Sequence, residues 1–210
     1  AGLDVYSNDG KGRFRDVSAE AIEDGAGFGM GHSLADYDLD GRLDVYMIGM
    51  SSTTARRLDF MGAGREDFAR HQEMRAQMTF GNRMLLGTGT RRLIAPAFKH
   101  SVARSGWSWG TSSLDFDNDA DIDIFVANDG MKNQLWRNVD GEHFEDVAER
   151  AGCAVDQNGR AKAGMGTAAA DIDDDGDEDL LVVNLSGEPD SFYRNDGDFF
   201  ADRTPLVGLA

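Results

Sequence analysis

Short apolar, β-branched bursts separated by glycine, asparagine and aspartate set the rhythm of this chain. "LDVYMIGM" from Leu43, "IDIFVAND" from Ile122 and "EDLLVVNL" from Glu178 each read as a buried strand. A second pattern, an aromatic-ended strand, a tight turn and another strand, recurs in "VYSNDGKGRFRDV" from Val5, "LWRNVDGEHFEDV" from Leu135 and "FYRNDGDFFADR" from Phe192. Asn-Asp-Gly between apolar runs signals a hairpin, because such turns require positive φ at their centre. A third pattern precedes each acidic stretch: "GMGHSLADYD" from Gly29, "SWGTSSLDFD" from Ser108 and "GMGTAAADID" from Gly164 each place a glycine five residues ahead of the first aspartate.

These patterns are copies of one unit. Asp115 and Asp171 are 56 residues apart, and so are Phe144 and Phe200. Each unit supplies about four short strands and one acidic loop, the size of a propeller blade, and such a unit buries both faces only by stacking on neighbours. The repeats run over 5–50, 82–130, 134–187 and 191–210, the last being the start of a fourth unit. The expected fold is therefore all-β, made of β-propeller blades, and part of a seven-bladed ring completed by further blades of the same polypeptide or of a partner chain. Residues 51–81 break the period. There "REDFARHQEMRAQM" places Phe68, His71, Met74, Arg75 and Met78 on one side of a helix, which predicts a helical insertion. Residues 51–105 carry ten Lys and Arg against four Asp and Glu, a basic patch on an acidic body able to dock an acidic neighbour or glycan.

Composition narrows the function classes. The 210-residue chain is 40% apolar with a formal charge of −17, which disfavours nucleic acid as a partner and favours cations. No apolar run is long enough to span a membrane as a helix, and the lack of an initiator Met or apolar signal region suggests a processed or truncated chain. The single cysteine, Cys153, rules out an intrachain disulfide framework and reads as a small buried hydrophobe.

Each acidic loop has the form D-x-D-x-D-x-x-x-D: Asp36, Asp38, Asp40 and Asp44; Asp115, Asp117, Asp119 and Asp123; Asp171, Asp173, Asp175 and Asp179. Such crowded carboxylates repel one another by about 1 kcal/mol per pair in water and more when partly buried, and a dication relieves this. Oxygens at positions one, three, five and nine, with the backbone carbonyl of position seven (Arg42, Asp121 or Asp177), suit Ca²⁺ better than Mg²⁺. The loops hold no His or Cys to favour Zn²⁺. About three Ca²⁺ per chain are expected. Gly41 and Gly176 fit a left-handed turn at position six, whereas Ala120 in the second loop bears strain there.

The combination of "RNDG", "GMG" and "DYDLDGRLDVY" resembles the FG-GAP and VCBS repeats of bacterial extracellular proteins, of proteins carrying an UnbV-type domain and, more distantly, of the integrin α head. The resemblance covers most of the chain outside 51–81 and implies a β-propeller with Ca²⁺ in its blade loops, serving adhesion or recognition outside the cytoplasm. Two features depart from that pattern: Ala120, and the second unit's hairpin "NRMLLGTGTRRLIAPAF", which lacks Asn-Asp-Gly.

The expected function is an extracellular, cell-surface or periplasmic scaffold that binds protein or glycan without catalysis. An enzyme acting on polysaccharide and a structural subunit of an extracellular assembly are the alternatives. No catalytic residue is assigned: His32, His71, His100 and His143 share no motif, and neither a nucleophile elbow nor a phosphate-cradling loop is present. Trp107 and Trp109 could stack on sugar but are expected to pack in the core.

Overall fold

The computed structural model describes residues 3–23, 25, 27–63, 75, 79–197 and 199–209. Strands β1 (Tyr6–Asn8) and β2 (Phe14–Asp16) form a hairpin, followed by the short helix α1 (Ser18–Ala21). The first four-stranded sheet comprises β3 (Gly29–Ala35), β4 (Asp44–Gly49), β5 (Arg83–Gly87) and β6 (Leu93–Ile94), with α2 (Thr53–Phe60) between β4 and β5. The second comprises β7 (Ser108–Leu114), β8 (Asp123–Asn128), β9 (Gln134–Val139) and β10 (His143–Asp146), followed by α3 (Ala148–Ala151). The third comprises β11 (Gly164–Ala170), β12 (Asp179–Asn184), β13 (Ser191–Asn195) and β14 (Phe200–Asp202). All paired strands within these sheets are antiparallel and meander in sequence order, the arrangement of propeller blades.

Each acidic loop joins the first and second strands of its sheet, and the hairpin that completes that sheet follows the loop instead of preceding it. The sequence repeats 5–50, 82–130 and 134–187, written from the hairpin, thus each run across two sheets. The reason is that hydrogen bonding pairs every apolar second strand with the next hairpin along the chain: Ile124 lies opposite Trp136, and Leu180 opposite Tyr193. The hairpin lacking Asn-Asp-Gly forms nonetheless. Thr88 N–H donates to the Arg92 carbonyl (2.8 Å), and Arg91 takes the left-handed conformation at φ 63°.

The insertion leaves the first blade at the end opposite its acidic loop, because β4 runs away from that loop toward Gly49. Its described helix is α2; of the residues 65–78 predicted to form the helix, only Arg75 is described, and it is helical, while Phe68, His71, Met74 and Met78 lie outside the described residues.

Blades bury their faces against each other. Tyr46, Ile48, Ile124, Val126 and Trp136 form the core between the first and second blades. Phe125, Ala127, Leu180, Val182, Tyr193 and Phe200 join the core between the second and third, together with the fully buried Cys153. Alternation along β8 explains the division, since Ile124 and Val126 face one neighbour while Phe125 and Ala127 face the other. Trp107 departs from expectation: it precedes β7 and is 48% exposed, not core, and Trp109 is half-buried. His32, His100 and His143 are exposed.

The first strands approach closely. Ser112 Oγ lies 2.7 Å from Thr167 Oγ1, and Tyr37 Oη sits 2.7 Å from Ser113 Oγ. A Cβ on Gly110 would lie 2.9 Å from Thr167 Cγ2 and 3.0 Å from the Gly166 backbone, whereas one on Gly166 would meet nothing within 4 Å. Gly110→Ala should therefore push β7 from β11 and cost about 1–3 kcal/mol, as overpacking does. Gly166→Ala should stay within about 0.5 kcal/mol of the parent in the same urea unfolding series. Equal effects of the two would contradict this packing.

Candidate metal centres

The three loops are built to one plan. Position one accepts two backbone hydrogen bonds: Asp36 from the N–H groups of Asp40 (3.0 Å) and Gly41 (2.7 Å), Asp115 from Asp119 (3.1 Å) and Ala120 (3.0 Å), Asp171 from Asp175 (3.1 Å) and Gly176 (3.0 Å). Position five accepts from the N–H of position seven in each case, at 2.9 Å for Asp40 and Asp119 and 3.0 Å for Asp175. These bonds curl the chain so that carboxylates converge. The left-handed turn expected at position six is present at Gly41 (φ 83°), Ala120 (φ 74°) and Gly176 (φ 100°). No atom would crowd a Cβ at either glycine, so the backbone angle, not space, favours glycine there. Position four is left-handed as well, at Leu39 (φ 59°), Asn118 (φ 58°) and Asp174 (φ 61°), a demand that Leu39 conceals in the sequence.

Position nine is fully buried in all three loops: Asp44, Asp123 and Asp179 each have 0% exposure. One carboxylate oxygen accepts the N–H of position two in the same loop, from Tyr37 (2.8 Å), Phe116 (3.1 Å) and Ile172 (3.1 Å). The other accepts an N–H at the end of the third strand, from Gly87 (2.7 Å), Asn138 (2.7 Å) and Asn195 (2.9 Å). Each position-nine aspartate is thus a latch between loop and sheet. A buried carboxylate carries its charge at a cost, and burial raises the pKa of Asp44 while pushing that of Asp123 up to about 8, against the opposing effect of its backbone donors.

Converging ligand atoms come from Asp36, Asp38 and Asp40 in the first loop, from Asp115, Asp117 and Asp123 in the second, and from Asp171, Asp173 and Asp175 in the third. Burial first, and neighbouring loop carboxylates second, hold Asp38 and Asp117 above the usual carboxylate range. Asp38 Oδ1 and Asp117 Oδ1 are buried with no hydrogen-bond partner. An all-oxygen donor set containing orphaned, mutually repelling carboxylates fits a hard dication. The side chains at position seven are engaged elsewhere: Arg42 pairs with Asp40, Asp121 accepts the Asp140 N–H (2.7 Å) and Asp177 accepts from Asn118 Nδ2 (2.7 Å).

Two residues absent from the sequence expectation belong to this region. Asn138 and Asn195, in the "RN" pairs of two hairpins, are 1% and 0% exposed and contact the loop of the preceding blade. Recurrence of that dipeptide after an aromatic was the available signal.

The FG-GAP-like repeat description matches residues 1–47 and 115–182, more than half of the chain. The protein belongs to the FG-GAP-like repeat family. Cartilage acidic protein 1 of Mus musculus is 26% identical over 205 residues, covering 93% of this chain and 27% of that protein. Its Homo sapiens counterpart is also 26% identical over 205 residues, covering 93% of this chain and 26% of its own length. The chain thus spans about a quarter of the length of these relatives. Among solved structures, an Agrocybe aegerita lectin described as recognising non-reducing terminal N-acetylglucosamine aligns with TM-score 0.49 and 17% identity. That alignment covers 96% of this chain and 46% of the lectin, a likeness too low to bear on fold or function.

Because the latch satisfies two buried N–H groups without an ion, its loss should be felt in chelator. Asp179→Asn, which turns an amide donor toward one of those N–H groups, should cost about 1–3 kcal/mol by urea unfolding in excess chelator. Ala120→Gly should add about 1 kcal/mol in the same assay by relieving the left-handed alanine. No loss in the first variant would mean that the latch contributes nothing without a cation.

Proposed function

We propose that this chain is a calcium-stabilised recognition module whose blades form a non-catalytic scaffold for protein or glycan outside the cytoplasm. The observation that carries the reading is the threefold recurrence of one loop geometry, with carboxylate atoms gathered in every copy and orphaned oxygens buried at Asp38 and Asp117. Asp36, Asp38, Asp40 and Asp44 would serve one ion, Asp115, Asp117, Asp119 and Asp123 a second, and Asp171, Asp173, Asp175 and Asp179 a third. Bound Ca²⁺ would offset part of each cluster's charge and fix the loop between the first two strands of its blade.

Family membership supports a propeller-based module, and neither the family description nor the relatives' names assign a reaction. No helix among the described residues is long and apolar enough to cross a membrane. An extracellular setting accords with loops of this kind, since oxygen-rich modules used outside cells bind Ca²⁺ at about 10⁻⁴–10⁻³ M. Further blades, from the rest of a polypeptide or a partner, would complete a ring.

Calorimetric titration should give three Ca²⁺ per chain with a clear preference over Mg²⁺, and chelation should lower the melting temperature. Each site filled at 100 times its dissociation constant adds about 2.7 kcal/mol. A stoichiometry near zero, or equal affinity for Mg²⁺, would overturn the reading. Turnover on a glycan panel would replace the module with an enzyme.

A further inference from the structure

The seams between blades carry one contact twice. Asn138 Nδ2, on β9 of the second blade, donates to the Tyr37 carbonyl in the first acidic loop at 2.9 Å and to the Ile122 carbonyl in its own loop at 3.2 Å. Asn195 Nδ2, on β13 of the third blade, donates to the Phe116 carbonyl in the second loop at 2.8 Å. Both side chains are buried, and each Oδ1 lacks a partner. Reversing either amide would set its oxygen against a carbonyl, so the donors must face the loops. The backbone N–H of each of these asparagines meanwhile binds the position-nine carboxylate of its own loop. One residue therefore grips two consecutive loops, one by its side chain and the other by its main chain.

The gripped carbonyl belongs to position two, the residue between the first two converging aspartates and the one whose N–H binds the latch. Moving it moves Asp36 and Asp38, or Asp115 and Asp117. Other contacts reinforce the ties. The hairpin turn of the second blade presses Gly141 onto the first loop, where a Cβ would come within 3.0 Å of the Asp38 backbone. The second and third loops touch directly, through Asn118 Nδ2 on Asp177 and through the Asp115 N–H on Glu178 Oε2 at 3.2 Å.

We infer that Asn138 and Asn195 are positioning residues that couple each cation loop to the blade after it, so that neighbouring sites fill cooperatively. This rests on the calcium reading above. An ion that orders the first loop fixes the Tyr37 carbonyl, which orients Asn138 and hence the second loop. Linkage then requires the second ion to strengthen the first by the same factor. The run begins at the first loop, because Gly87 stands at the corresponding place on β5 and has no side chain to reach back.

The test is a Tb³⁺ titration of the whole chain, with emission excited through Tyr37 and assigned to the first loop by its loss in Asp36→Ala. Partners that orient a ligand typically contribute about 10–100-fold to metal affinity. Asn138→Ala should therefore raise the half-saturating Tb³⁺ concentration at least about tenfold while the plateau is retained, and Asn195→Ala, which reaches the first loop only through the second, should raise it by a smaller factor. An unmoved midpoint in folded Asn138→Ala protein, or equal shifts in both variants, would overturn the coupling while leaving the cation reading intact. Absence of saturable Tb³⁺ binding by the parent chain would remove both. Should Asn138→Ala not fold, Asp117→Asn, which weakens the second site without touching the first, should raise the Tyr37-excited midpoint severalfold, and no shift there would refute the coupling.

Discussion

A carboxylate taken wholly out of water at the first residue of a second strand is the interaction around which each blade is arranged. At Asp44, Asp123 and Asp179 it receives one N–H from the loop before it and one from the strand beside it. Hydrogen bonds to a charged group contribute about 1.5–3 kcal/mol, more than neutral ones, and here they also fix geometry. Position two is held over the strand, so positions one, three and five turn toward a common centre. The ladder closes alike in each copy, at Ala35–Asp44, Leu114–Asp123 and Ala170–Asp179.

That arrangement concentrates negative charge beside a buried anion, which the backbone donors only partly offset. A dication completes the electrostatics. The same loops form the surface on which the following hairpin rests, so local charge balance and blade stacking are linked. Apolar burial between blades supplies most of the cohesion, and the polar ties set register: Asn138 and Asn195 meet carbonyls at seams otherwise filled by Tyr37, Phe116, Phe144 and Phe200.

Much of this was legible before any coordinates. The 56-residue spacing, the hairpin chemistry and the D-x-D-x-D-x-x-x-D loops predict blades and acidic turns, and the strain expected at Ala120 is visible in its φ. The grouping of strands into sheets was not legible, because a repeat fixes a period but not where hydrogen bonding begins and ends. The exposure of Trp107 is not legible, since an aromatic beside a strand carries no sign of which side faces solvent. The latch was half visible: Asp44, Asp123 and Asp179 stood out as ligands, whereas their role as backbone acceptors depends on Gly87, Asn138 and Asn195, distant in sequence. Residue four of the first loop gives no warning either, as leucine has no preference for positive φ, whereas Asn118 and Asp174 are residue types that tolerate it.

Native-state amide hydrogen exchange in excess chelator measures the central claim most directly, because it reads the latch donors one by one. The N–H groups of Tyr37, Phe116, Ile172, Gly87, Asn138 and Asn195 should stay among the most protected in the chain after the cation is removed. Those of Asp40, Gly41, Asp119, Ala120, Asp175 and Gly176, in the exposed parts of the loops, should exchange faster on chelation. If the two groups accelerate together, the buried carboxylates do not hold the blades by themselves and the account of the latch is wrong.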